Sequence, residues 1–347
     1  MLRRLSLGLL ASAISVVSMP AVAQEGSADD LGVMSISLKD VVKPQVGFQG
    51  ALQGAGTPNQ AGIGGFLPLV VGESSVVFAD VQANANFADF NNYSSIIDTT
   101  VAGTTISTSS RLGYRWLNGD RSWMYGINAG YDSRPMNTGY ADSGIEVEDG
   151  YAFYQQIGLN LEAISNKWSL NAYGLFPLSE TTKELNWNYS GGALQTYGLD
   201  AGYMVTPTLK ASLGGYYQKG DYNKCRARDE VDNAGLRGRL SYKIANGLVA
   251  GINASYDDSY DWRASVDIKY RFGGSNSTAA NPNPNPTIIN ALTSSPKNRD
   301  VRVHDAYANT GDVAPDLGAL TIGSEVEAQI DALLPTVCIS PEDMKYT

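Results

Sequence analysis

Charge is what this chain of 347 residues has little of: only 17% are Asp, Glu, Lys or Arg, against about 25% in an ordinary soluble domain. Histidine occurs once, at His304, and cysteine twice, at Cys225 and Cys338. One imidazole cannot build a zinc site of several histidines, and two distant thiols cannot complete an all-thiolate tetrahedron. The net charge is −10, with no block of Lys and Arg. Without clustered cations a phosphate backbone goes unneutralised, which argues against nucleic acid as a partner. No Ser-His-Asp, Cys-His or metal-ligand grouping is readable, so the sequence offers no enzymatic reading and no cofactor or metal site. Nowhere after the N-terminal segment is there a run of about eighteen apolar residues, which excludes helical membrane spans. What is plentiful is glycine, with 37 residues, and tyrosine, with 20, in a chain that is still 43% hydrophobic.

Residues 1–23 begin with Arg3 and Arg4, continue apolar from Leu5 to Met19, and end Pro20-Ala21-Val22-Ala23. A basic start, a short apolar middle and a small-residue end describe a secretory signal peptide cleaved after Ala23. The alternative is an N-terminal anchor, for which the apolar run is short. Loss of the two arginines leaves the exported chain more acidic still.

From about 44 to 273 apolar residues alternate with small or polar ones, the period of β-strands. In Trp123–Asp132 one face carries Trp123, Tyr125, Ile127, Ala129 and Tyr131, and the other Met124, Gly126, Asn128, Gly130 and Asp132. In the last such segment Trp262, Ala264, Val266, Ile268, Tyr270 and Phe272 oppose Arg263, Ser265, Asp267, Lys269 and Arg271. Alternation alone also fits a secreted β-sandwich or a soluble barrel. Aromatics at the strand ends with aliphatics between them are instead the pattern of a lipid-facing band, and the Gly- and charge-rich face suits a narrow lumen.

The sequence predicts twelve strands, at about 44–53, 62–70, 75–88, 105–116, 122–133, 152–163, 167–175, 193–204, 208–218, 231–243, 247–256 and 261–272. An even number fits an all-β, transmembrane, antiparallel up-and-down barrel. Short connections such as Asn118-Gly119-Asp120, Ser165-Asn166, Thr206-Pro207 and Asn246-Gly247 are periplasmic in type. The longer stretches 89–104, 134–151, 176–192 and 219–230 read as outer loops. Residues 24–43 form a periplasmic lead without a readable fold. Residues 274–299, which include Asn-Pro repeats, read as a linker. An acidic tail over 300–347 has one helical signal, from Ser324 to Leu334, and leans on the barrel or is flexible.

Several stretches resemble the inverse autotransporter β-domain, the translocator barrel of intimin- and invasin-type adhesins. They are Gly65-Phe-Leu-Pro-Leu69, Leu112-Gly-Tyr-Arg-Trp116, Met124–Asp132, Asn137-Thr-Gly139, Tyr154-Gln-Gln-Ile-Gly-Leu159 and Trp168–Ser179. The resemblance covers roughly 62–273. It implies a twelve-stranded outer-membrane barrel whose C-terminal linker threads the lumen and displays Ig-like or lectin-like domains outside. No such domains follow here, only a short tail. An extended chain rises about 3.3 Å per residue, so about 13 residues cross a membrane layer and the tail is long enough to thread.

On this reading the lumen is lined by Arg111, Arg115, Asp132, Glu162, Asp200, Arg237, Arg239, Arg263, Lys269 and Arg271, with Asp80, Asp267 and Lys243 also inward. These charges either steer solutes or a threaded tail, or neutralise one another as filling for a small barrel. Cys225, in an outer loop, and Cys338, in the tail, form a disulfide outside if the tail threads; the alternative is two unpaired or intermolecular thiols. Tyr270-x-Phe272 resembles the terminal recognition signal of outer-membrane barrels, or is girdle alone. The acidic runs Asp142–Asp149 and Asp229–Asp232 read as solvated loops before calcium sites. Expected partners are outer-membrane lipid, periplasmic chaperones and the barrel-assembly machinery, with small solutes or a surface ligand beyond them. Three functions are open: a translocator or anchor for the chain's own tail, a porin-like diffusion channel, or surface adhesion through the outer loops.

Overall fold

The computed structural model describes residues 36–52, 59–87, 105–138, 150–178, 182–184, 189–224, 227–258, 261–273, 287–302 and 304–307. Twelve strands close into an antiparallel up-and-down barrel in which every strand pairs with its barrel neighbour in sequence and the last pairs with the first. They are β1 (Gln45–Leu52), β2 (Asn59–Val71), β3 (Ser75–Phe87), β4 (Thr105–Leu117), β5 (Trp123–Thr138) and β6 (Gly150–Ser165). The ring continues with β7 (Trp168–Pro177), β10 (Gln195–Met204), β11 (Leu209–Lys224), β12 (Ala227–Ala245), β13 (Leu248–Asp257) and β14 (Asp261–Phe272). Closure runs from Val46 opposite Phe272 to Leu52 opposite Val266, so no strand of the ring is left with an open edge.

The period-2 pattern decides which side chains face in. Leu213 is 69% exposed and Trp262 77%, whereas Arg115, Asp80 and Asp257 are 0% exposed. This inverts a soluble protein, whose apolar side chains are the buried ones. An outer surface of leucine, isoleucine and valine bounded by aromatics at both ends is the surface of a barrel that sits in lipid. At the turn end Tyr114 stacks on Trp116 at 5.4 Å, and Trp168 meets Tyr203 in a tilted arrangement at 4.8 Å. At the loop end Tyr256 meets Trp262 at 5.3 Å and Phe176 meets Tyr197 at 5.6 Å. Tyr270 and Phe272 both face outward in the turn-end girdle, with ring centroids 5.9 Å apart.

Tight turns join the strands at one end. In the β4–β5 turn Asn118 accepts from the Trp123 amide at 2.9 Å and Asp120 accepts from the Ser122 hydroxyl at 2.7 Å. The Ser122 hydroxyl and then its amide hold the Asp120 carboxyl below the ordinary carboxylate range. At Gly247 the backbone takes φ 79° and a Cβ would lie 2.1 Å from the Arg271 carbonyl, so this turn requires glycine.

Four places differ from the sequence reading. Residues 134–138, read as the start of an outer loop, continue β5 and pair with β6, from Arg134 opposite Tyr154 to Thr138 opposite Gly150. Residues 219–224 and 227–230, read as open loop together with the acidic run Asp229–Asp232, are paired strand, from Gly220 opposite Val231 to Lys224 opposite Ala227. Ladder hydrogen bonds are made by the backbone, so a polar hairpin extends a strand pair beyond the apolar belt without any hydrophobic signal. Within the lead, Leu38–Val41 forms a short helix, α1, with Leu38 and the following Val42 buried. Between β7 and β10 lie two short strands, β8 (Thr182–Glu184) and β9 (Tyr189–Gly192). Cys225, Cys338, the helical signal at 324–334 and the acidic run Asp142–Asp149 lie outside the described residues.

Leu213→Arg tests the lipid-facing assignment. In lipid vesicles the substitution should lower unfolding stability by about 2–4 kcal/mol in a urea titration. On a water-facing surface it would change stability by less than about 0.5 kcal/mol, and that result would sink the assignment.

Candidate functional site

Six lumenal arginines of the wall each meet a carboxylate, and glycines make room for the pairing. Arg115 on β4, Gly126 on β5 and Glu162 on β6 share one row of the ladder. A Cβ at Gly126 would lie 2.9 Å from Glu162 Oε2, so its absence lets Arg115 reach across to Glu162 at 2.9 Å. The same row logic places Arg237, Gly214 and Asp200 together on β12, β11 and β10, where Arg237 pairs with Asp200. Arg111 donates to both Asp132 oxygens at 2.6 Å and lies across Gly158, where a Cβ would be 2.6 Å from its guanidinium. Arg239 donates to Asp267 at 2.6 and 2.9 Å over Gly251. Arg263 pairs with Asp257, and Arg271 reaches Asp80 at 3.2 Å. Bidentate, charge-assisted bonds of this kind hold buried charges where isolated ones would be too costly.

Among the residues singled out in the sequence, Arg111, Arg115, Asp132, Glu162, Asp200, Arg237, Arg239, Arg263 and Arg271 thus meet in six pairs completed by Asp267, Asp257 and Asp80. Lys269 faces the same lumen and remains solvent-exposed.

The lumen also holds a segment of the chain's own C-terminal part. Residues 287–291 form a short helix, α2 (Thr287–Ala291), packed against β5 and β6, with Ile288, Ile289 and Leu292 buried. From there the chain runs irregularly along the axis. Near the turn end Gln45 donates to the Thr293 hydroxyl at 2.8 Å and Arg271 to the Thr293 carbonyl at 3.0 Å. Arg115 donates to the carbonyls of Leu292 at 3.0 Å and Ser294 at 2.7 Å. Midway, Arg111 holds the Asn298 carbonyl at 3.1 Å, and the Asn298 amide donates to Asn171 at 2.8 Å. Further on, Gln156 and Arg134 hold the carbonyls of Asp300 and Val301 at 3.3 and 2.8 Å. Beyond them a strand, β15 (His304–Tyr307), pairs with β9 from His304 opposite Gly192 to Tyr307 opposite Tyr189. The segment therefore enters at the turn end and reaches the loop end, where it joins the small sheet β15-β9-β8.

Two arginines of this segment join pairs that the wall already makes. Arg299 bonds to Asp80, the partner of Arg271, and donates to the Ser109 hydroxyl at 2.7 Å and the Ser109 carbonyl at 3.0 Å. Arg302 reaches Asp257, the partner of Arg263, at 3.2 Å and lies over the Tyr216 ring at 5.0 Å. The six pairs of the wall are thus complete by themselves, and the segment is held chiefly by hydrogen bonds to its backbone and by its two arginines. It does not supply missing counter-charge to them.

Sequence reasoning missed Arg134, Asp257, Arg299 and Arg302. Asp257 shares the parity of Gly251, Asn253 and Ser255 on β13, and Arg134 that of Asp132 on β5, so a slightly longer strand reading would have found both. Arg299 and Arg302 sit in no strand and carry no periodic signal. Among the described residues no group of three or more His, Cys, Asp or Glu converges as a metal site.

No protein-family profile and no curated protein matches this chain. Solved structures do. A membrane protein from a study of in-meso crystallization is 14% identical, matching 76% of this chain and 100% of its own length with a TM-score of 0.51. An outer membrane channel from Pseudomonas putida F1 is 11% identical over 72% of this chain and 100% of its own, with a TM-score of 0.42. The KdgM porin is 7% identical over 66% of this chain and 99% of its own, with a TM-score of 0.35. The first of these likenesses extends to the fold. Together with the apolar exterior, it makes this a barrel membrane protein, and the described residues add a lumen occupied by its own chain.

Gly126→Val tests the glycine rows. The added side chain lands between Arg115 and Glu162, and overpacking there should cost about 1–3 kcal/mol in a urea titration. Gly119→Val, in a turn where no atom lies within 4 Å of the site, should change stability by less than about 0.5 kcal/mol. Equal effects at the two positions would refute the assignment.

Proposed function

We propose that this protein is an outer-membrane barrel that anchors its own C-terminal segment and presents the residues beyond that segment at the cell surface, as a translocator of inverse autotransporter type. The observation that carries the reading is the path of 287–307, from α2 at the turn end along the lumen to β15 at the loop end. Turns at one end and longer connections at the other orient such barrels with the turns toward the periplasm, so the segment leaves on the outer side. The motif resemblance over 62–273 supports the same reading, as does the N-terminal segment of signal-peptide form.

The grip on backbone carbonyls suits this role. Arg115, Arg271, Arg111, Gln156 and Arg134 bond to peptide oxygens, which any residue offers. A wall whose arginines and carboxylates already pair with one another is stable before the segment arrives, and those pairs stay closed while chain passes.

A porin-like channel is the competing reading, favoured by the polar inner face. The two separate in planar bilayers. The full chain should show little conductance, and a chain ending at residue 273 should open a stable pore. A large, steady conductance of the full chain would overturn the anchoring role in favour of diffusion. Topology gives an independent check, in a chain whose Cys225 and Cys338 are replaced by serine. Thr310→Cys should react with a membrane-impermeant maleimide on intact cells, whereas Asn246→Cys should react only after the outer membrane is permeabilised. Protection of both positions would defeat the proposal.

A further inference from the structure

The ion pairs of the wall leave one part of the lumen unmatched. Lys210 on β11, Lys243 on β12, Lys269 on β14 and Lys297 on the threaded segment have no carboxylate within ion-pair distance among the described residues. They share one place. Lys210 is the second residue of β11, and Lys243 and Lys269 lie near the turn-end termini of β12 and β14. Lys243 and Lys269 are both opposite Val249, two strand spacings and so roughly 10 Å apart. The Lys210 stem lies over Gly202, inside the barrel.

The threaded segment does not fill the lumen evenly. Against β4 it is tightly seated, and the side chains of Arg111 and Arg115 are 0% exposed. On the β12 side Arg237 and Arg239 keep 30% of their side-chain surface in water, and Lys269 and Lys297 are exposed. Toward the loop end Tyr216, Gln218 and Asp257 are buried. The β12 side of the lumen is therefore the less filled side, a pocket with Lys210, Lys243, Lys269 and Lys297 on its walls. Asp200 and Asp267 also face it, but each is engaged by an arginine.

We propose that this pocket is a binding site for a multivalent phosphate-class oxyanion, and specifically for a short polyphosphate chain. Lysine binds phosphate as a mobile point charge on a flexible stem. A monovalent anion meets these lysines one at a time, whereas a ligand with charge along its length bridges Lys243 and Lys269 and still reaches Lys210 and Lys297. The site does not depend on the translocator reading, since three of its four lysines belong to the barrel wall.

The test is calorimetric titration of the full-length protein in neutral detergent micelles with sodium tripolyphosphate at low ionic strength. Saturable one-to-one binding is expected, weakening steeply as salt is added. Lys243→Gln with Lys269→Gln should reduce affinity by roughly tenfold or more, from the loss of two of the four charges. Lys167→Gln, in a turn outside the pocket, should leave affinity unchanged. A chain ending at residue 273 loses Lys297 alone among the four and should bind more weakly but measurably. Phosphatidylglycerol added to the micelles separates sources: competition assigns the phosphate to a lipid headgroup, and no competition to a soluble ion. The absence of saturable binding, or equal affinity in the double variant with its barrel intact by circular dichroism, would overturn the proposal.

Discussion

Twelve strands impose a lumen of awkward size. About eight strands give an interior that wall side chains fill, and sixteen or more leave an aqueous channel. Twelve fall between, so the space has to be occupied by large polar side chains and something more. Here the large side chains are chiefly arginines matched to carboxylates, and the remainder is a length of the chain itself. The cross-wall ion pairs are the constraint on which the rest depends. They allow buried charge in a low-dielectric interior, and they turn the guanidinium edges toward the axis, where peptide carbonyls of the threaded segment accept from them.

Glycine is part of the same device. Its abundance reflects the need for long side chains on neighbouring strands to lie flat across the wall. Gly126 under the Arg115–Glu162 pair and Gly214 under Arg237–Asp200 are positions where a Cβ would occupy the space of an ion pair. The charges and the glycines of the inner face therefore form one arrangement, and neither works without the other. The threaded segment then adds Arg299 and Arg302 to carboxylates already engaged, so its arrival exposes and buries no uncompensated acid.

Much of this was legible in the chain. The parity of Trp262 through Phe272 against Arg263 through Arg271 separates exterior from lumen, because successive side chains of a strand must point to opposite faces. The short Asn- and Gly-containing connections marked the turn end and the strand count. The hairpin beyond Lys219 was not legible, since backbone pairing outside the apolar belt leaves no hydrophobic trace. Nor was the seat of 287–302, whose composition reads as linker up to Arg299 and whose anchoring residues follow no period.

What the sequence by itself determined is therefore local: the alternation, the charge of the inner face, the aromatic ends and the even number of strands. What the tertiary structure decided is who meets whom. Asp80 on β3 lies opposite Arg111 in the ladder, yet bonds to Arg271 of β14 and Arg299 of the segment, while Arg111 turns to Asp132. Those choices depend on the register at which β1 closes on β14 and on a chain segment more than two hundred residues from β3. Period-2 patterning fixes the face of each side chain, but only ring closure sets its neighbours across the lumen.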